Sequence, residues 1–181
     1  MQIFVSDVRE LLAEGVSQSE LARALLRYAV AEVWGCEMPE IVRDGRGKPF
    51  FAGAENMHFS LSHTKTHVLA AVSGHPVGAD IETLREVRKG YERLFSPGML
   101  SDFGYFGGWT LREAVFKLRG EGKLRSMDIR LENGSVVTPY EGIRCRLYTL
   151  DGCAAAAAAW EGEFPEKIEM VENTKFWGAR A

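Results

Sequence analysis

The stretch Val77-Gly78-Ala79-Asp80-Ile81-Glu82 constrains this chain more than any other. Val77, Ala79 and Ile81 alternate with Gly78, Asp80 and Glu82. Side chains of a strand alternate between its faces, so the apolar set points one way and both carboxylates the other. Neighbouring carboxylates repel and commonly share a proton or a cation. Hard cations such as Mg²⁺ take carboxylate oxygens and leave room for substrate phosphates. The ordinary alternative is a strand end whose acidic residues stand in water.

The 181 residues are 46% hydrophobic and 26% charged, which fits a soluble globular protein of one large domain or two small packed halves. A net charge of −3 gives no electrostatic footprint for nucleic acid. Three cysteines, Cys36, Cys145 and Cys153, are too few and too scattered for a disulfide framework or a metal motif. Reduced, buried thiols point to a reducing compartment. The start of the chain lacks the pattern of a signal peptide. The longest apolar run, Cys153 to Trp160, is too short to span a bilayer. A cytoplasmic protein without membrane or nucleic-acid partners is expected.

Ile3 to Val5 reads as an opening strand. Ser17-Gln18-Ser19-Glu20 is a capping-box signature for a helix that runs to Trp34 and stops at Gly35. Arg23 and Arg27 share a face of that helix, and a solvated role suits Arg23. Arg43 to Pro49 is a basic, glycine-containing turn, suited to phosphate or simply to the surface. Met57 to Ser62, Val68 to Val72 and Val77 to Ile81 read as three strands of an antiparallel meander. His63 follows the first of them, flanked by Ser62 and Thr64, as a phosphate donor or a strand-end histidine. Only the strand register decides whether His63, Asp80 and Glu82 meet.

Tyr91 to Gly108 reads as a short helix, a break and a second short helix, with most of its aromatics in the core. Met99, Leu100 or Phe103 is expected to stay partly exposed as a partner site. From Trp109 to Arg119, Leu111, Ala114, Val115 and Leu118 form a buried helical stripe, and Glu113 and Lys117 stand opposite. Glu113 and Lys117, four residues apart, are also placed for a surface ion pair. Gly120 and Gly122 end the helix. The remainder reads as β, with hairpin turns at Asn133-Gly134 and Asp151-Gly152. Ala154 to Ala159 is read as a strand between close neighbours, although alanine favours helix. Its sequel, Phe164 to Glu169, echoes the first half and suggests an internal repeat.

Four stretches stand in an order that resembles the 4′-phosphopantetheinyl transferases of the larger, surfactin-synthetase-activating (Sfp-like) type. They are Gly47-Lys48-Pro49, Phe59-Ser60-Leu61-Ser62-His63-Thr64, Gly78-Ala79-Asp80-Ile81-Glu82 and Trp109-Thr110-Leu111-Arg112-Glu113-Ala114-Val115-Phe116-Lys117. Phe164-Pro165-Glu166 with Ile168 resembles the family's closing segment. The resemblance implies an α+β fold of two similar halves, about 1–88 and 89–181, packed as an intramolecular pseudo-dimer, and a monomer. It implies Mg²⁺-dependent transfer of phosphopantetheine from coenzyme A to a serine of an apo acyl or peptidyl carrier protein, releasing adenosine 3′,5′-bisphosphate. By the same resemblance Asp80, Glu82 and Glu113 match a metal site, and Glu113 also matches the base that activates the serine. Lys117 matches a diphosphate contact with a catalytic role. Arg27, Lys48, Ser62, His63 and Arg112 match the coenzyme A contacts.

Arg112 stands where the family commonly has lysine, and it replaces a compact ammonium by a planar fork. The region before the first helix and the segment from Glu82 to Trp109 are short for the family. These departures keep a second expectation open, a non-catalytic module that holds coenzyme A or a carrier. A Mg²⁺-dependent phosphohydrolase is the third, and it gives no reason for Lys48 and His63 together.

Overall fold

A computed structural model describes residues 1–178, and in it two β-sheets stack face to face between two long helices. In chain order the elements are β1 (Gln2–Asp7), α1 (Arg9–Ala13), α2 (Gln18–Trp34), β2 (Ile41–Arg43), β3 (Pro49–Phe51), β4 (His58–His63), β5 (His67–Ser73), β6 (Val77–Thr83), α3 (Pro97–Arg119), β7 (Arg130–Glu132), β8 (Ser135–Val137), β9 (Arg144–Leu150), β10 (Cys153–Ala159), β11 (Glu169–Met170) and α4 (Asn173–Phe176). Among the described residues no helix is long and apolar enough to cross a membrane.

The local signals hold where one segment decides the outcome. Ser17 and Glu20 form the capping box of α2, and Gly35 closes it in the left-handed conformation. The apolar stripe of α2, including Leu21, Leu25, Leu26 and Ala29, packs on Phe4, Val68, Ala70 and Val72 of the first sheet. The other face of that sheet, with Ile3, Val5, Leu69 and Ala71, meets Val77, Ala79, Ile81, Ala155 and Ala157 of the second. Ala156 and Ala158 look the opposite way, toward Leu111, Ala114, Val115 and Leu118 of α3. The alanine run is therefore strand β10, covered on both faces, and its small side chains let both layers approach.

The expected meander is corrected by the sheet order. The first sheet runs β11-β1-β5-β4 and the second β6-β10-β9-β8-β7. β4 and β5 pair antiparallel, but β6 leaves β5 and pairs with β10, Asp80 opposite Ala156. The turn after β5 carries the chain from one sheet to the other instead of closing a hairpin. β11, from the C-terminal end, crosses in the opposite sense and pairs parallel with β1. Each half expected from the sequence thus gives one strand to the other's sheet.

The segment before the expected helix is broken into short helical pieces, as its composition suggests. Tyr91–Leu94 is a 3₁₀ turn, Ser96 caps the start of α3, and Gly104, at φ 63° and ψ −178°, is a non-helical break before the part of α3 that runs to Arg119. Gly107 and Gly108 are buried inside the helix, against Leu147 and against Phe95 and Met99, so they serve packing rather than a break. Met99 is fully buried, while Leu100 and Phe103 remain half-buried.

One close approach fixes α3 on β6. A Cβ built on Gly78 would lie 2.0 Å from the Ala114 carbonyl oxygen and 2.4 Å from the Leu118 nitrogen. Both are backbone atoms, so only a shift of the helix would relieve the clash. Gly78→Ala is expected to destabilise the fold by about 3 kcal/mol, the upper end of ordinary overpacking. Urea denaturation measures this, and an unchanged midpoint would show that the helix is free to slide.

Candidate active site

β4 and β6 lie side by side at the seam of the two sheets without a backbone ladder, and side chains join them instead. The polar face of β4 supplies the bonds. Ser60 Oγ accepts from the Ala79 N–H at 2.9 Å and donates to the Ala79 carbonyl at 3.3 Å. Ser62 Oγ donates to Asp80 Oδ1 at 2.6 Å. Lys117 arrives from α3 and donates to Asp80 Oδ1 at 2.7 Å, to the Ala79 carbonyl at 3.2 Å and to the Leu61 carbonyl at 3.3 Å. An ammonium carries three protons, so each has an acceptor. Lys117 therefore pairs with Asp80 rather than with Glu113, its neighbour on the helix.

Asp80 is 5% exposed, and its second oxygen, Oδ2, is buried without a hydrogen-bond partner. A buried polar atom left bare is destabilising unless a ligand satisfies it. Glu82 is half-buried and pairs with Arg85 at 3.2 Å. Burial pushes the pKa of Glu113 up, and the charges of Asp80 and Glu82 push it further against the opposing pull of Lys117. Among the described residues no group of three His, Cys, Asp or Glu side chains is placed to hold a metal ion as it stands. Asp80 Oδ2 is nonetheless a bare oxygen with other acidic groups nearby, the donor type that a hard divalent cation takes.

Lys117 also lines a mostly apolar pocket of about 260 Å³, walled by Lys48, Pro49, Phe59, Leu61 and Phe116. Lys48 closes it by donating to the Leu118 carbonyl at 2.7 Å, and burial pushes its pKa down. Arg46, on the same loop, pairs with Glu121 at 2.7 Å just beyond the helix. A larger hollow of about 620 Å³ between the start of α3 and β8–β9 is lined by Phe103, one of the expected partner-site residues, and by none of the expected catalytic, coenzyme A or metal residues.

The structure thus gathers Asp80, Glu82, Glu113, Lys117, Ser62 and Lys48 around α3 and the seam. His63 and Arg27 stand exposed at the end of β4 and on α2, without hydrogen bonds to this cluster. Arg112 is a correction. The residue is 2% exposed, and its guanidinium donates to the Met127 carbonyl at 2.7 Å and to the Leu94 carbonyl at 2.6 Å. It also stacks over Phe95 at 4.3 Å. Facing the core under α3, it clips two loops together and leaves almost no exposed surface for a ligand. Two contributors went unnoticed in the sequence, Ser60 and Phe116. Ser60 shares the strand alternation of Ser62, which was signal enough; Phe116 stood inside the helix motif without a role of its own.

Arg112→Lys keeps the charge but cannot bond both carbonyls in the same fork geometry. It should destabilise by about 1–3 kcal/mol, the penalty of an unsatisfied buried group, as read by chemical denaturation; an unchanged stability would refute the clip. Glu113 gives a pH test. Its folded-state pKa is raised, so its contribution to stability is whole below the ordinary glutamate range and is lost as pH rises through the folded value. In metal-free buffer Glu113→Gln should be the more stable form near neutrality, and the difference should close below about pH 4. A difference that does not vary with pH would contradict this.

No family model matches the chain. Among curated proteins it is 29% identical over 180 residues to the 4′-phosphopantetheinyl transferase ffp of Bacillus subtilis, covering 87% of this chain and 80% of that protein. It is 28% identical over 145 residues to the 4′-phosphopantetheinyl transferase Sfp of Bacillus subtilis strain 168, covering 69% and 65%. With the 4′-phosphopantetheinyl transferase psf-1 of Bacillus pumilus it shares 32% identity over 115 residues, covering 56% and 49%. The ordered motifs and these matches agree: the chain is similar to the Sfp-like 4′-phosphopantetheinyl transferases.

Proposed function

We propose that this protein transfers the 4′-phosphopantetheine group of coenzyme A to a serine hydroxyl of an apo acyl or peptidyl carrier protein, in a Mg²⁺-dependent reaction that releases adenosine 3′,5′-bisphosphate. One observation carries the proposal. Lys117 stands between an apolar pocket of the size of a nucleotide base and the buried carboxylate of Asp80. A diphosphate attached to a base in that pocket would run toward the acidic cluster. The names of the relatives point to the same chemistry.

Asp80, Glu82 and Glu113 would hold the ion, which supplies positive charge to a crowded diphosphate when bound. The remaining work belongs to the side chains. Phe59 and Phe116 offer the base apolar, aromatic walls, and Lys48 sits at the pocket's edge. Lys117 offers its ammonium to the diphosphate, and His63 and Arg27 supply outlying positive or donor groups. Ser62 keeps Asp80 oriented. Glu113 takes the proton of the serine hydroxyl. The serine oxygen then bonds to the phosphorus that carries pantetheine. The bond from that phosphorus to the bridging oxygen breaks, and the bisphosphate leaves with the electron pair.

Two helix-on-sheet layers in one chain support a pseudo-dimeric arrangement that works as a monomer, and the composition suits the cytoplasm. The full engagement of Lys117 by protein acceptors favours a second reading, a module that binds coenzyme A or a carrier without transfer. Incubation with coenzyme A, Mg²⁺ and a panel of apo-carriers separates the two. Mass spectrometry should find a phosphopantetheine adduct on a carrier serine, and Glu113→Gln should slow its formation by about 10²–10⁴-fold, the range of a general base. Calorimetric binding of coenzyme A with no adduct on any carrier would replace the transferase by the binding module.

A further inference from the structure

We infer that the Lys117 ammonium competes with the divalent ion for Asp80, so that the ion is admitted to this site only when a diphosphate draws Lys117 away. The inference rests on the transferase reading for the identity of the diphosphate; the competition itself rests on geometry.

Lys117 Nζ is held by Asp80 Oδ1 at 2.7 Å and by the Ala79 and Leu61 carbonyls at 3.2 and 3.3 Å. This is a cation among oxygens, the kind of setting that a hard ion would also take. The same Oδ1 accepts from Ser62, while Oδ2 stays buried and bare. One ammonium therefore satisfies half of the carboxylate. An ion that approached Oδ2 with Lys117 in place would meet a like charge across a single carboxylate, in a setting where water screens poorly. The repulsion weakens both cations' hold on Asp80.

Lys117 has a second place to go. Its side chain also lines the neighbouring pocket, and its flexible stem lets the ammonium turn there without moving α3. An anionic group at that pocket replaces the acceptors that Lys117 gives up. Asp80 is then released to the ion at the moment when the diphosphate that the ion must serve has arrived. Ion and diphosphate help each other reciprocally, because each binds better once Lys117 has left Asp80.

The test is a Mn²⁺ titration of the full chain without nucleotide, with free Mn²⁺ counted by paramagnetic resonance. Lys117→Met should bind one ion more tightly than wild type, by about 5- to 150-fold, the usual range of coupling between two sites. Lys117→Arg, which keeps a cation beside Asp80, should stay near wild type. Adding Asp80→Asn to Lys117→Met should cancel the gain. Thermal melts give a second readout should Lys117→Met be less stable. Mn²⁺ should then raise its Tm more than that of wild type, since an ion that binds only the folded form stabilises it.

Equal Mn²⁺ affinity in wild type and Lys117→Met overturns the competition, as does a gain that survives Asp80→Asn. Carrier labelling keeps the two claims apart. Labelling by wild type together with equal Mn²⁺ affinities refutes the competition and leaves the transferase. A Mn²⁺ gain in Lys117→Met with no carrier labelled by wild type supports the competition and refutes the transferase.

Discussion

The contact between Gly78 and the backbone of α3 decides where the chemistry can be. With no side chain at residue 78, the helix rests on the strand itself, against the Ala114 carbonyl and the Leu118 nitrogen. That fixes the height and rotation of α3 above β6. Glu113 and Lys117 flank Ala114 and lie one turn apart. Asp80 and Glu82 follow Gly78 on the same face of the strand. One close approach therefore sets the four candidate side chains relative to one another. The alanine strand beside it works in the same direction, since Ala156 and Ala158 leave α3 free to lie low over both strands.

At the seam the protein meets a different demand. Two sheets that share no ladder between β4 and β6 must still satisfy their buried polar groups. Ser60 and Lys117 do so by bonding to the Ala79 and Leu61 backbone, and Ser62 by bonding to Asp80. Breaking a buried ion pair is far more damaging than never forming one, because it strands a charge. Lys117 and Asp80 thus hold the seam together as well as serving the site. The arrangement is incomplete all the same, with Asp80 Oδ2 bare and Glu113 resisting ionisation among like charges. Local rules that a chain satisfies elsewhere are broken where function needs them broken.

What could be read in the sequence was what a short window decides. The alternation of Val77 to Glu82, the capping box at Ser17 and the hairpin at Asn133-Gly134 each depend on neighbours in the chain, and each stands in the structure. The membership of β6 in a sheet does not. Ser73 to Pro76 has the composition of a hairpin turn, and nothing nearby reveals that the next strand pairs with β10, more than seventy residues on. Arg112 failed for the same reason. Beside Glu113 a cation reads as a partner for phosphate, yet the carbonyls that claim it belong to Leu94 and Met127, which only the folded chain brings under the helix. The candidate site was legible through its ordered motifs; the division of labour inside it was not, because hydrogen-bond partners across a seam leave no periodicity.

The two charged sides of the site are of opposite sign, and that narrows what can bind there. The acidic side, Asp80 with Glu113 and Glu82, calls for positive charge beyond one ammonium. The basic side is Lys48, held down by burial in its charged form, and Lys117, with the exposed His63 near the same strand end. A free anion would satisfy the second and aggravate the first. A free cation would do the reverse, against the repulsion of Lys117. A divalent ion carried with a diphosphate answers both at once and leaves little net charge to bury. On the function proposed here, selectivity for such a pair comes less from any single contact than from the penalty that each half meets alone.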